Sequence, residues 1–200
     1  MTPTHRSDPS GPAIAIVGAG LAGLSCAAAL QAAGRGVVLF EKSRGPAGRM
    51  STRNGDDWQC DFGAQYFVVR DPSFRDEVQR WTDAGVAQLW QPRLSSFDGR
   101  AWKPTRTALA RHVGVPAMTA PAHWLARGLE VRSQATVQPL VWTEGGWKLQ
   151  FAEPGIPDAV FGSVLLAVPA PQAQALLGEH APGLGVVAGR AGMQACWSLM

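Results

Sequence analysis

Three cysteines in 200 residues, at positions 26, 60 and 196, leave little to build with. No Cys-x-x-Cys pair occurs and the number is odd, so neither a disulfide framework nor a zinc site follows. Cys26 and Cys196 lie in apolar stretches and read as buried, inert thiols, whereas Cys60 borders a segment taken up below and is a candidate redox thiol. The four histidines, His5, His112, His123 and His180, lack metal-ligand spacing and read as surface or capping residues, so no metal is expected. Long apolar runs are missing too: each is short and broken by glycine or proline, which excludes a membrane-spanning segment. Residues 1–12 are polar and proline-containing without an apolar signal core, which predicts a frayed tail on a cytoplasmic protein. Charge is sparse at 16%, and the net charge of +3 comes from scattered rather than striped basic residues. That distribution excludes a nucleic-acid partner and favours anionic small ligands.

What is present is a globular composition, 46% hydrophobic, and one segment of unusual information content. An apolar strand from Ala13 to Val17 delivers the chain into Gly18-Ala19-Gly20-Leu21-Ala22-Gly23. In such a turn Gly18 permits the tight bend, Gly20 allows backbone to approach a pyrophosphate and Gly23 lets helix and strand pack closely. The free N–H groups and dipole at the following helix start favour a diphosphate without any basic side chain. Leu21 to Ala33 is made of helix formers, Gly34 and Gly36 stop it, and Val37 to Phe40 forms a second strand. Glu41 ends that strand about twenty residues after the glycines, where a carboxylate accepts hydrogen bonds from the ribose hydroxyls of an adenosine. The acid disfavours a 2′-phosphate, so NADP is not expected at this site. The fingerprint predicts a dinucleotide and leaves NAD and FAD unseparated.

Downstream residues separate them. Lys42-Ser43-Arg44-Gly45-Pro46-Ala47-Gly48-Arg49-Met50 is an irregular Gly-rich loop where a simple NAD enzyme would continue into another βα unit. Such a loop suits a longer cofactor, and Arg49 can bring charge-assisted hydrogen bonds to phosphate, beside the plainer role of a solvated surface arginine.

Three stretches together make the chain resemble the renalase-like group of FAD-dependent oxidoreductases, within the wider amine-oxidase-type flavoproteins. The fingerprint with Glu41 is shared by that whole superfamily. Arg44 to Arg53 is similar to the family's Gly-Gly-Arg-Met segment near the FAD pyrophosphate and flavin, with Ala47 in place of the usual first glycine. Asp61-Phe62-Gly63-Ala64-Gln65-Tyr66-Phe67 resembles the segment lying against the isoalloxazine ring and discriminates best. Weaker similarity continues through residues 113–118, 164–172 and 196–200. The resemblance implies FAD contacts at Gly18, Ala19, Gly20, Leu21, Ala22, Gly23, Glu41, Lys42, Arg44, Gly48, Arg49, Met50, Gly63, Ala64 and Gln65. It also implies a backbone contact from Val137 to adenine.

The resemblance further implies flavin-driven chemistry with no catalytic side chain, because the protein chiefly orients the cofactor. A dihydronicotinamide substrate would yield hydride to flavin N5, and O2 would reoxidise the ring to give H2O2. Arg93, Arg106 and Trp102 are candidates for phosphate and ring contacts to such a substrate, beside ordinary surface and core roles. Two alternatives stay open: a flavin amine oxidase, and a non-catalytic FAD-binding fragment.

Elsewhere, Asp71-Pro72 followed by acids opens a helix to Trp81 with Phe74, Val78 and Trp81 on one face. Short strands are expected at Val86–Gln91, around Asp98-Gly99 and within 105–113, then a helix at Thr119–Ala126. Val137–Trp142 and Trp147–Phe151 form a hairpin about Glu144-Gly145-Gly146. Val160–Val168 reads as one continuous strand, Pro171–Leu177 as a helix and Gln194–Met200 as the start of a strand. The expected fold class is α/β, a Rossmann-type FAD-binding βαβ domain with an inserted β-rich substrate domain. The expected divisions are a tail (1–12), FAD-binding segments at 13–82 and 118–178, and substrate-domain segments at 83–117 and 179–200. The final strand and helix that this superfamily returns to the FAD site are not found in these residues, which reads as C-terminal truncation.

Overall fold

The computed structural model describes residues 13–105 and 109–199. β1 (Ile14–Val17) leads through the glycine turn into α1 (Leu21–Ala32), and β2 (Val37–Glu41) follows. A 3-10 turn at Gly48–Met50 passes the chain to β3 (Thr52–Asn54), β4 (Gln59–Asp61), α2 (Pro72–Asp83) and β5 (Ala87–Trp90). Next come β6 (Leu94–Phe97), β7 (Trp102–Thr105), β8 (Arg111–Gly114) and α3 (Ala120–Leu125). The remainder is β9 (Glu130–Ser133), β10 (Val141–Thr143), β11 (Gly146–Leu149), β12 (Ala159–Phe161), β13 (Ser163–Leu166), α4 (Ala170–Leu177) and α5 (Pro182–Gly189). The described residues gather into two units, one holding 13–49 and 125–199 and the other 50–105 and 109–124.

The first unit is a mixed α/β body around a parallel sheet in the order β13-β1-β2-β9. Ile14 stands against Val37 on one side and Ser163 on the other, and Val38 against Glu130. β1 and β2 are buried almost throughout, which is why both read as unbroken apolar runs. Ala15, Val17, Val38 and Phe40 point to the face that packs on Leu140, Leu149 and Phe161. The Phe40 ring lies 5.0 Å from Phe151 and 5.7 Å from Phe161. Buried Ile14, Ile16 and Leu39 alternate to the opposite face, and α1 packs on β1 and β2.

α1 ends as its glycine predicts. Gly34 takes φ +74°, its N–H donates to the Gln31 carbonyl and the Arg35 N–H to the Leu30 carbonyl, the paired bonds of a Schellman stop.

The second unit is built on short antiparallel strands and α2. The Asp71 side chain accepts from the Phe74 N–H at 3.1 Å with Pro72 following, so the expected N-terminus holds. Val78 and Trp81 are buried and Phe74 half-buried on the expected face. Phe67 and His112 exchange both backbone hydrogen bonds, and β8 pairs on its other edge with β5, so β8 is a central strand. Phe67 packs on Phe74 and Trp81 of α2 and stacks on His112 at 5.7 Å.

Several expectations are corrected. Val160–Val168 is not one strand: the chain bends at Gly162, so that β12 pairs with β11 while β13 pairs with β1. Apolar periodicity cannot see a change of partner sheet. The hairpin is shorter than expected, since Gly146 already pairs with Thr143 and Val137 meets Phe151 only in an isolated bridge. Residues 194–199 take no strand, and Cys196 there is exposed rather than buried, while Cys26 is half-buried. His112 is neither a surface nor a capping residue but a half-buried member of β8. β9, the β3–β4 hairpin and α5 went unforeseen; α5 carries three glycines within Pro-Gly-Leu-Gly-Val-Val-Ala-Gly and packs on α4. The tail at 1–12 and residues 106–108 lie outside the described residues.

Candidate functional site

At the carboxyl edge of the parallel sheet, four stretches of the first unit are tied together by hydrogen bonds. The Gly18 N–H donates to the Phe40 carbonyl at 2.8 Å, and the Ala47 N–H to the Ala19 carbonyl at 3.0 Å. The Ala135 N–H reaches the Glu41 carbonyl and the Gln134 N–H the Ser43 carbonyl, each at 2.9 Å. The glycine turn, the tip of β2, the 43–49 loop and the strand exit at 134–137 thus share one place. It lies beside the boundary between β1 and β13, where strand order reverses and α/β sheets bind ligands.

Glu41 is the one buried charged side chain among the described residues, 7% exposed. Its carboxylate turns to the glycine turn: Oε2 accepts from the Ala19 N–H at 2.9 Å and Oε1 from the Ser43 N–H at 2.8 Å. An ionised carboxylate offers roughly four acceptor positions, so each oxygen keeps capacity for one more donor. Glu41 ends β2 as the sequence predicts, but its bracing of the turn and of Ser43 went unforeseen.

The three glycines of the turn do different work. A β-carbon on Gly18, whose φ is +101°, would sit 2.7 Å from the Ala167 carbonyl oxygen. One on Gly23 would run into the Gly18 carbonyl oxygen. Gly20 is different: its φ of −73° suits any residue, and a β-carbon there would meet only the Gly48 Cα, at 4.0 Å. The fold requires glycine at 18 and 23 and not at 20. α1 begins at this point with no side-chain cap and no acid in its first turn, so its first N–H groups, those of Leu21, Ala22 and Gly23, have no side-chain partner among the described residues.

Ala47 occupies the position where the family resemblance expects glycine, and its φ is +125°, in the region that L residues rarely adopt. Lys42, Arg44, Gly48 and Arg49 are exposed, and the three cationic side chains form no hydrogen bond or ion pair among the described residues. Val137 is buried, and its bridge to Phe151 is closed by its neighbours, Gln138 N–H to Gln150 and Ala152 N–H to Thr136. Its own N–H and carbonyl therefore turn away from that partner.

Met50, Gly63, Ala64 and Gln65 belong to the second unit. Met50 is buried. Gly63 and Gln65 are exposed and Ala64 half-buried, with the Gly63 N–H directed to the Ser51 carbonyl at 3.4 Å. The segment is anchored just upstream by Asp61, which accepts from the Thr52 hydroxyl at 2.5 Å and the Met118 N–H at 3.2 Å. Trp102 is 71% exposed and packs on Phe97, and Arg93 is exposed; Arg106 lies outside the described residues. Cys60 sits half-buried in β4. No group of histidine, cysteine and acidic residues could hold a metal among the described residues, and none of their helices is long and apolar enough to cross a membrane.

Sequence reading missed Arg111. Its guanidinium lies 4.9 Å over the Tyr66 ring, and its Nε and one terminal nitrogen are buried without a hydrogen-bond partner among the described residues. Strand alternation over 111–114 was the available signal, since it separates Arg111 from the His112 face.

Residues 16–81 match a family model described as an NAD(P)-binding Rossmann-like domain. Over 73 residues the chain is 45% identical to a 4,4'-diapophytoene desaturase (4,4'-diaponeurosporene-forming) of Staphylococcus haemolyticus (strain JCSC1435), taking in 35% of this chain and 15% of that protein. Among solved structures, a double mutant of putrescine oxidase from a redesign of cofactor binding aligns with a TM-score of 0.66 at 15% identity, covering 88% of this chain and 63% of that one. Wild-type putrescine oxidase bound to putrescine gives 0.62 at 15% identity, with 80% and 58% covered. A protein of Photorhabdus luminescens subsp. laumondii TTO1 described as an FAD-containing monooxygenase gives 0.53 at 16% identity, with 80% and 40% covered. The chain spans less than two thirds of the length of each of these relatives. At such identities the structural likeness establishes the fold alone. Residues 16–81 thus carry the pattern of the NAD(P)-binding Rossmann-like domains, set in a parallel-sheet architecture that the putrescine oxidase structures share.

Proposed function

We propose that this chain is the dinucleotide-binding part of an FAD-dependent oxidoreductase, with the adenosine diphosphate half of FAD lying across the start of α1. The observation that carries the proposal is Gly20. Its backbone is bare where nothing in the chain needs it bare, at an uncapped helix start beside a carboxylate with acceptor capacity to spare. A diphosphate against the helix N–H groups and a ribose on Glu41 would use all three. Arg44 and Arg49 stand exposed and unpaired on the adjoining loop as further phosphate donors, and Val137 offers backbone groups to adenine. Gly63, Ala64 and Gln65 are assigned to the flavin end on family resemblance alone. The FAD-containing monooxygenase of like fold supports FAD over NAD as the resident cofactor.

When bound, the flavin supplies acceptance of a hydride and return of the electrons to oxygen. The residues of the chain hold and orient it. The renalase-like substrate class, isomeric dihydronicotinamides, remains the finer form of this proposal, and 83–117 the proposed substrate-domain segment. An amine is the alternative substrate, favoured by the fold shared with putrescine oxidase in complex with putrescine.

The test is the flavin absorption of the purified chain and of Gly20→Ala. The substitution is expected to leave folding unchanged, within about 1 kcal/mol, and to cut flavin retention at least tenfold. Equal flavin content in the two proteins would place the phosphates elsewhere, and a colourless parent that takes up no added FAD would refute the cofactor assignment. Oxygen consumption with dihydronicotinamide isomers and with putrescine then separates the two substrate classes.

A further inference from the structure

The face of the β5–β8 sheet turned away from α2 gathers Arg111, Tyr66 and Trp90. Trp90 stands directly opposite Arg111 in the strand register, and Tyr66 precedes Phe67, whose backbone pairs with His112 on the other edge of β8. Alternation therefore sends Phe67 and His112 to the α2 side and the other three residues to this side. The Arg111 guanidinium lies 4.9 Å over the Tyr66 ring, and the Tyr66 and Trp90 centroids are 6.1 Å apart. Both rings are markedly exposed, at 38% and 40%.

The cation is poorly served by its own chain. Its Nε and one terminal nitrogen are out of water with no hydrogen-bond partner among the described residues, a costly arrangement for a guanidinium. No acid answers it. Asp61 holds Thr52 and Met118, Asp71 caps α2, Glu77 holds Arg80 and Trp81, and Asp98 holds Lys103. The next pair along the same face, Gln88 and Val113, brings no charge. The Tyr66 ring offsets part of the desolvation through its negative face but offers no acceptor for the N–H groups.

We infer that this face is a binding site for a small oxyanion carried on a planar ring, with Arg111 taking the oxyanion and Tyr66 and Trp90 the ring. Nε and Nη1 are enclosed, so the oxyanion would meet the guanidinium through Nη2, which is not among the enclosed nitrogens, with a charge-assisted hydrogen bond, and two exposed aromatic side chains beside the cation provide the apolar walls. As a statement about substrate class the inference rests on the oxidoreductase reading above. As a statement about binding it does not.

Calorimetric titration of the full chain with 2-naphthoate, 2-naphthyl phosphate and neutral 2-naphthamide tests it, with flavin content measured on the same preparations. At least one anion is expected to bind tenfold or more tightly than the amide, and whichever does so identifies the oxyanion. Arg111→Met is expected to erase that preference and Arg111→Lys to keep part of it. Tyr66→Ala and Trp90→Ala should weaken all three ligands together. Equal affinity of the charged and neutral ligands for the parent chain overturns the inference, as does a preference that survives Arg111→Met. Should Arg111→Met fail to fold, the parent comparison and Arg111→Lys still decide. A flavin-free chain that prefers the anions breaks the cofactor reading and leaves this one standing. A flavin-bearing chain without the preference does the reverse.

Discussion

The carboxyl edge of the parallel sheet and the open face of the β5–β8 sheet treat their polar groups in opposite ways. At the first, a buried carboxylate is answered by two backbone N–H groups. At the second, among the described residues, a half-buried guanidinium meets a tyrosine ring and two of its nitrogens find no hydrogen-bond partner. The difference teaches where binding and folding can be separated. On the proposed function Glu41 would serve both, because the acceptor positions left for a ribose belong to the same carboxylate that braces the turn. Nothing in the fold needs Gly20 bare or answers two of the Arg111 nitrogens, and these are the two positions on which the proposals above put a ligand.

The sharpest break in that division is expected at Gly23, which is entirely on the folding side. Its β-carbon would overlap the Gly18 carbonyl, backbone that cannot swing aside as a side chain can. Gly23→Val should lower stability by on the order of 4 kcal/mol, or prevent folding. Urea unfolding beside Gly20→Ala checks it: similar midpoints for the two variants would show that the glycines of the turn are not divided in this way.

Glu41→Ala comes next. It strips the acceptor from the Ala19 and Ser43 N–H groups, and hydrogen bonds to a charged partner are worth about 1.5–3 kcal/mol each. A loss of about 3 kcal/mol in stability is therefore expected even without cofactor, with a further fall of about 1–3 kcal/mol in flavin affinity for the ribose contacts. Glu41→Gln keeps one accepting oxygen and should fall between. If Glu41→Ala unfolds at the same denaturant concentration as the parent, the bracing role is wrong and only the ribose role survives.

These two residues also mark how far the sequence could be read. The β1–α1–β2 unit, its glycines, its terminal acid and the Schellman stop were legible because each is a local consequence of residue type over short spacing. The same holds for the Asp71-Pro72 start of α2. What escaped was set by partners far along the chain. The split at Gly162 depends on β12 and β13 choosing different sheets, and β9 is a strand because Val38 to Glu41 supply its ladder. Arg111 escaped for a third reason: an unpaired cation is defined by which acids are elsewhere, and no motif encodes that.

Ala47 sharpens the comparison from the side of the loop. Its φ of +125° is glycine's territory, and the residue is fixed there by its hydrogen bond to Ala19, so the strain is held by the same turn that Glu41 braces. Ala47→Gly should raise stability by about 1 kcal/mol, the relief of a left-handed alanine less the loss of a buried methyl. Thermal unfolding would show it as a rise in Tm. A fall would mean that the methyl's packing outweighs the strain.

The smallest expected effect tests the α2 side of the β5–β8 sheet. Burial holds the His112 imidazole below its ordinary pKa of 6.5, and its Nδ1 is buried without a partner among the described residues. Between the folded value and 6.5 the unfolded chain binds a proton that the folded chain refuses. The contribution of a neutral His112 is therefore fully present above pH 6.5 and is lost as pH falls from there through the folded value. His112→Phe preserves the stack on Phe67, seen at 5.7 Å with planes 20° apart, and removes both the proton and the unpaired nitrogen. The variant should match or exceed the parent in Tm at pH 7.5 and decline less on the way to pH 5.5. Parallel declines would move the pH sensitivity to another group and leave the unpartnered Nδ1 as a cost carried equally at both pH values.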